Sequence, residues 1–143
     1  MTTMNNHIGL KGIFNLKFTN VKTGQIRELE FTNLILNSGL DRIAIGSFIG
    51  GCVLGSDSST PVVTDTSITG ILGSSTTVQA SGVSTANTST PPYWCSYYWT
   101  YRFIEGVATG NISQVAMAFG TVSAGTTLFS LALVKDSGGT PIT

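Results

Sequence analysis

Short runs in which apolar and polar residues alternate, cut at close intervals by glycine, leave this chain little choice but pleated sheet. Phe14, Leu16 and Phe18 alternate with Asn15, Lys17 and Thr19. Leu29 and Phe31 alternate with Glu28, Glu30 and Thr32. Successive side chains of a strand point to opposite faces, so each run builds one apolar and one polar face. Between the runs lies Val21-Lys22-Thr23-Gly24-Gln25, where Gly24 can supply the positive φ of a tight turn. The segment predicts an antiparallel hairpin lying on a core. The hairpin at 9–32 also offers an edge to which a neighbour could add a strand.

The last third repeats the pattern. Trp99, Tyr101 and Phe103 alternate with Thr100 and Arg102. Val115, Met117 and Phe119 alternate with Ala116 and Ala118, and Phe129, Leu131 and Leu133 with Ser130 and Ala132. Glycines at 106, 110, 120 and 125 divide these runs. Several short strands separated by turn signals predict a sandwich or barrel. In the middle, Cys52-Val53-Leu54, Ile68–Leu72 and Thr76–Ala80 are the expected strands. The Gly55–Pro61 and Ser84–Pro92 segments are expected loops, and Pro91-Pro92 cannot continue a ladder. One short helix is expected near residues 38–47. Asn37 or Ser38 would cap it, Leu40, Ile43 and Ala44 would form its apolar face, and Gly46, Gly50 and Gly51 would limit its length. It is expected to plug one end of the sandwich. The predicted fold is therefore all-β: a single antiparallel β-sandwich over 1–143 with one short helix. Residues 1–8 are expected to be a flexible or docking arm. The chain stops at Gly138-Gly139-Thr140-Pro141-Ile142-Thr143, where another strand could begin.

Only 10% of residues are charged, against about 25% in an ordinary soluble domain. The formal net charge is zero. Such a chain has little self-repulsion to keep copies apart, which suits a subunit packed against neighbours. No Lys or Arg cluster could neutralise phosphates, so nucleic acid is not an expected partner. No apolar stretch has the length of a membrane span, and MTTMNNHIGLKG lacks a secretory pattern. Synthesis in a cytoplasm is expected. Cys52 and Cys95 form no CxxC, and the expectation is two reduced thiols, with a disulfide as the alternative.

Residues for catalysis are scarce. His7 is the single histidine and lies in the polar N-terminal segment, which leaves a His-based nucleophile system without support and excludes a histidine-rich zinc site. Glu28 and Glu30 share a face that reads as solvated, not as a facing acid pair. Asp57 and Asp65 flank a Ser/Thr-rich loop. Turn capping is the first reading there and calcium the second, the spacing matching no EF-hand. Neither GxxxxGK[ST] nor GxGxxG occurs. No catalytic residue, cofactor or metal is expected.

One cluster stands out. Both tryptophans and all four tyrosines lie in Pro91–Tyr101. Aromatic rings with polar tips suit protein interfaces and sugar stacking alike. On a strand, Tyr97, Trp99 and Tyr101 share a face with Phe103, opposite Tyr98 and Thr100. The first face is assigned to the core. Tyr93, Trp94 and Tyr98 are the candidate contacts, to another subunit or to a glycan.

Three stretches resemble tailed-bacteriophage virion structural proteins of the tail-fibre or tail-adaptor type. Phe31-Thr32-Asn33-Leu34-Ile35-Leu36-Asn37-Ser38-Gly39-Leu40-Asp41-Arg42-Ile43 looks like their NLITNxGLDxI opening. Val53–Ile68 looks like their VGSGTTAPxxTDTAL segment. Asn111–Met117, with Leu128–Asp136 and Gly139-Thr140-Pro141, is similar to their ISEVGxG and LFSRALIKDxxGxP ending. The three occur in order over residues 31–143. Gln114, Ala116 and Leu131 stand where the family has Glu, Gly and Arg. The resemblance implies a virion component, non-enzymatic and homo-oligomeric, with a trimer among the expected states. It would dock to other virion proteins as a tail-fibre, baseplate or adaptor module. A receptor-binding domain for a host surface glycan and a capsid-decoration or collar/head-fibre protein are the alternatives.

Overall fold

The computed structural model describes residues 9–46, 49–120, 127–136 and 138–141. In chain order the elements are β1 (Ile13–Thr19), β2 (Ile26–Thr32), β3 (Leu34–Ile35), α1 (Asn37–Ala44) and β4 (Ile49–Gly55). They continue with β5 (Ile71–Ser75), β6 (Val78–Asn87), β7 (Trp94–Tyr101), β8 (Gln114–Phe119) and β9 (Leu128–Leu133). The pairings between these strands are antiparallel. The chain is all-β with one short helix among the described residues, as the alternation predicts. His7, the expected arm 1–8, Gly125, Ile142 and Thr143 lie outside the described residues.

Five strands form the main sheet in the order β3-β9-β8-β4-β5. All six residues of the central β8 are buried. Val115 and Met117 enter one core, while Ala116 and Ala118 enter another on the opposite face. The period of two here separates two cores, not core from solvent, because both faces are covered.

The hairpin β1–β2 covers the first face. Phe14 is in register with Phe31 and Leu16 with Leu29, so the apolar sides of both strands coincide. The Phe14 and Phe31 rings lie 6.0 Å apart and pack with Cys52, Leu54, Val115, Met117, Ala132 and Val134. Lys17 and Glu28, directly opposite each other on the other side, form an exposed ion pair at 3.3 Å. The turn closes as the sequence predicts. Gly24 has a φ of 69°, and the Asn20 carboxamide oxygen accepts the Lys22 and Thr23 N–H groups. A two-stranded layer thus lies on a five-stranded one, an unequal sandwich.

The second face is covered by α1 and the turn-rich segment 56–70. Leu36 and Ile68 pack there with Val53, Ala116, Ala118, Leu128 and Leu131. The buried Gln114 carboxamide donates to the Ser59 carbonyl at 3.0 Å, and the Asn37 N–H donates to the Val63 carbonyl. These bonds satisfy polar groups that burial would otherwise penalise, and they hold the cover in place.

The helix departs from expectation in three ways. It lies beside β9 and does not plug an end. Its apolar residues Leu40 and Ile43 are exposed, and Gly39 is its buried residue. A Cβ on Gly39 would collide with the Phe129 carbonyl oxygen, so the helix approaches the sheet through a missing side chain. Asn37 and Ser38 do not cap it. The N-cap position is Leu36, and the Ser38 hydroxyl donates to the Leu128 carbonyl at 2.8 Å. Gly46, with a φ of 77°, follows its end as predicted.

Further boundaries differ: the strand expected from Thr76 begins at Val78, and Phe103 lies beyond the end of β7. The strand expected at Ile68–Leu72 begins at Ile71, because Gly70 turns the chain at a φ of 62° and Ile68 drops into the second core. The loop expected from Ser84 begins only after Asn87, since Thr85 and Ala86 pair with Ser96 and Cys95. No described helix is long and apolar enough to cross a membrane.

Candidate functional site

β6 and β7 make a second hairpin that joins neither layer of the sandwich. Val78 pairs with Tyr101 at its root and Asn87 with Trp94 at its tip. The tip is organised by Asn87, whose carboxamide donates to the carbonyls of Thr90 and Pro92 at 2.8 and 2.9 Å. Only the root reaches the core. Tyr101 and Phe103 pack partly against the cluster under β1–β2. The buried Tyr101 hydroxyl has no hydrogen-bond partner among the described residues. Burial, then the neighbouring Cys52, pushes its pKa up.

Beyond the root, the ribbon is exposed on both faces. Tyr93, Trp94, Tyr97, Tyr98 and Trp99 keep between 38% and 68% of their surface uncovered, and Val78 and Val83 are exposed beside them. Alternation along β7 puts Trp94, Ser96 and Tyr98 on one side, and Cys95, Tyr97 and Trp99 on the other. Tyr97 and Trp99 stack at 4.6 Å with their planes tilted by 49°. On the opposite side Tyr98 lies over Gly82, its register partner, where a Cβ would meet the ring at 3.6 Å.

The candidate residues Tyr93, Trp94 and Tyr98 are therefore accessible and lie on this one ribbon. The face assigned to the core is not core beyond Tyr101. Tyr97 and Trp99 are part of the same exposed surface, because nothing in the sandwich layers covers β6–β7. Sequence alternation identifies two faces but cannot say that both are open. A signal was present nonetheless: no Asp, Glu, Lys or Arg occurs between Asp65 and Arg102. The whole hairpin is uncharged, with no ionic face to mark a solvent side.

Three of the seven carboxylates are engaged in turns elsewhere. Asp57 accepts the Ser59 hydroxyl at 2.6 Å and the Ser59 N–H at 3.0 Å, and these bonds hold it below the ordinary carboxylate range. Asp65 accepts the Val62 N–H at 2.8 Å. Asp136 accepts the N–H groups of Gly138 and Thr140. Each closes a turn in its own loop. Among the described residues, no three His, Cys, Asp or Glu side chains gather where they could hold a metal ion. Cys52 and Cys95 are both free thiols. Burial pushes the Cys52 thiol up to about 12, while Cys95 is exposed on the hairpin.

Fold and site together define a class: an antiparallel β-scaffold that displays an uncharged aromatic ribbon outside its core. Comparison with protein-family models, with curated proteins and with solved structures found no match.

Proposed function

We propose that this protein is a structural component of a bacteriophage particle, a tail-fibre, baseplate or adaptor module that docks to other virion proteins through homo-oligomeric contacts. The observation that carries the assembly reading is the β6–β7 hairpin, with five aromatic side chains uncovered and no charge on it. Exposed apolar surface of this kind marks interaction sites, and aromatic residues supply most of the binding energy in them. The chain's zero net charge supports close packing of copies. The ordered resemblance over residues 31–143 supplies the virion context. Repetition by symmetry then lets each contact be weak while the array is strong.

The test is mass spectrometry and antibody labelling of phage particles purified from the host that carries this gene. The protein is expected in the particle at a fixed ratio to its other structural proteins. Its absence from particles, with all copies in the soluble lysate, would defeat the reading.

The exposure of Tyr93 and Trp94 at the tip favours a second reading, recognition of a host surface glycan by ring stacking. Glycan-array binding that Trp94→Ala abolishes is the expected outcome for it. Binding unchanged by that substitution excludes it.

A further inference from the structure

We infer that the β6–β7 hairpin is covered by the same hairpin of a second copy of this chain, with β7 at the contact. The inference deepens the assembly reading by naming the surface and the partner. Three observations carry it.

The first is the open edge. Among the described residues, β7 pairs with β6 on one side and with no strand on the other. A two-stranded ribbon is marginal in water, and an open edge is a template for another strand. The usual protections are distributed unequally. β6 is interrupted twice, at Gln79 and Ser84, where the register with β7 shifts. Such bulges twist an edge away from new partners. β7 is unbulged over Trp94–Tyr101 and contains no Pro, Lys or other charged residue. Its edge is the one left receptive.

The second is charge. No ionic group occurs from Thr66 to Tyr101. A hairpin of this composition has nothing to pair with a charged partner. It meets a copy of itself without repulsion, and its Ser, Thr and Tyr hydroxyls both donate and accept. The charged alternative in the same molecule is β1–β2, whose Lys17, Arg27, Glu28 and Glu30 would meet like charges in many registers.

The third is area. Five rings at roughly half exposure leave about 500 Å² uncovered per copy, given the usual size of aromatic side chains. Pairing two copies at β7 brings about 1,000 Å² of exposed ring surface onto the two faces of one four-stranded ribbon, where neighbouring rings cover part of each other. Strand pairing at β7 places rings of the two copies in cross-strand contact.

The full-length protein supplies its own reporter. Cys52 is buried with a raised pKa, so Cys95 on β7 is the thiol that reacts. The experiment combines sedimentation velocity with Cys95 alkylation rates across a concentration series, for wild type, Ser96→Lys and Tyr98→Lys. Wild type is expected to reach at least twice the 15.0 kDa chain mass. Its Cys95 reaction should slow by about tenfold or more as the oligomer fills. Both Lys variants should stay monomeric, react fast at all concentrations and keep the wild-type far-UV spectrum. Tyr98→Ser is the second variant, retaining neutrality, and should weaken assembly without abolishing strand pairing.

Wild type that stays monomeric at about 100 μM, where a micromolar contact is populated, overturns the inference. So does an oligomer that all three variants leave intact, or one in which Cys95 reacts at the monomer rate. Those outcomes leave the virion reading standing if the protein is still found in particles. Hairpin-dependent self-association by a protein absent from particles does the reverse.

Discussion

The two hairpins of this molecule have the same topology and opposite fates. β1–β2 brings Phe14, Leu16, Leu29 and Phe31 together on one face, in register, with Lys17, Glu28 and Glu30 on the other. It lies on the sheet and completes a core. β6–β7 carries rings on both sides of β7 and no charge anywhere, and it stands outside the core. Alternation with charge defines an inside and an outside within one chain. Alternation without charge marks neither face as inside, and under the inference above a second copy covers the ribbon.

If this contrast is right, mutations in the two hairpins separate by magnitude. Phe31→Ala should remove about 3–5 kcal/mol of stability, because the ring is buried against Phe14 and the sheet. Chemical denaturation measures it, and a loss below about 1 kcal/mol would mean that β1–β2 is not part of the core.

Cys52 tests the same core through pH. Its folded pKa, about 12, lies above the ordinary 9.0. The folded state therefore holds the proton where the unfolded chain loses it. The stabilisation is fully present below pH 9.0 and is lost as pH rises towards 12. The loss approaches about 4 kcal/mol at 1.36 kcal/mol per unit. Wild type should lose stability across that window more steeply than Cys52→Ala. Parallel curves would place the thiol in a hydrated site.

Gly39→Ala should cost about 1–3 kcal/mol, since the new methyl group meets the Phe129 carbonyl oxygen and α1 must shift from β9. Thermal melting reads the effect. An unchanged melting temperature would show that the helix is loosely held, like the second hairpin.

Trp94→Ala and Tyr98→Ala should each change the stability of the dilute monomer by about 0.5 kcal/mol or less, the range for surface substitutions. Lys17→Ala should do the same on β1–β2, because its ion pair with Glu28 is exposed. The hairpins then differ in a further respect: the aromatic variants weaken assembly and the Lys17 variant does not.

Much of the architecture was legible because it is local. The β1–β2 register follows from Phe14, Leu16, Leu29 and Phe31 together with Gly24, all within one short segment. The strands β8 and β9 were marked by alternation and by bounding glycines. The helix was located, but its orientation was not, because Gly39 sets it through a contact with Phe129 far along the chain. Helical spacing of Leu40 and Ile43 pointed inward where the fold turns them out. At the candidate site, the rings were visible but the exposure of Tyr97 and Trp99 was not. Exposure depends on which layer covers a ribbon, and period-two patterning carries no information about layers.

If β6–β7 lies outside the core of a single chain and is protected only by association, its protection depends on concentration. Amide hydrogen exchange over a concentration series reads it directly. Slow exchange is expected in β1, β2, β4, β8 and β9 at every concentration, with β6 and β7 fast when dilute and slowing as the protein is concentrated. Protection of β6 and β7 equal to that of β8 in the most dilute sample would contradict it.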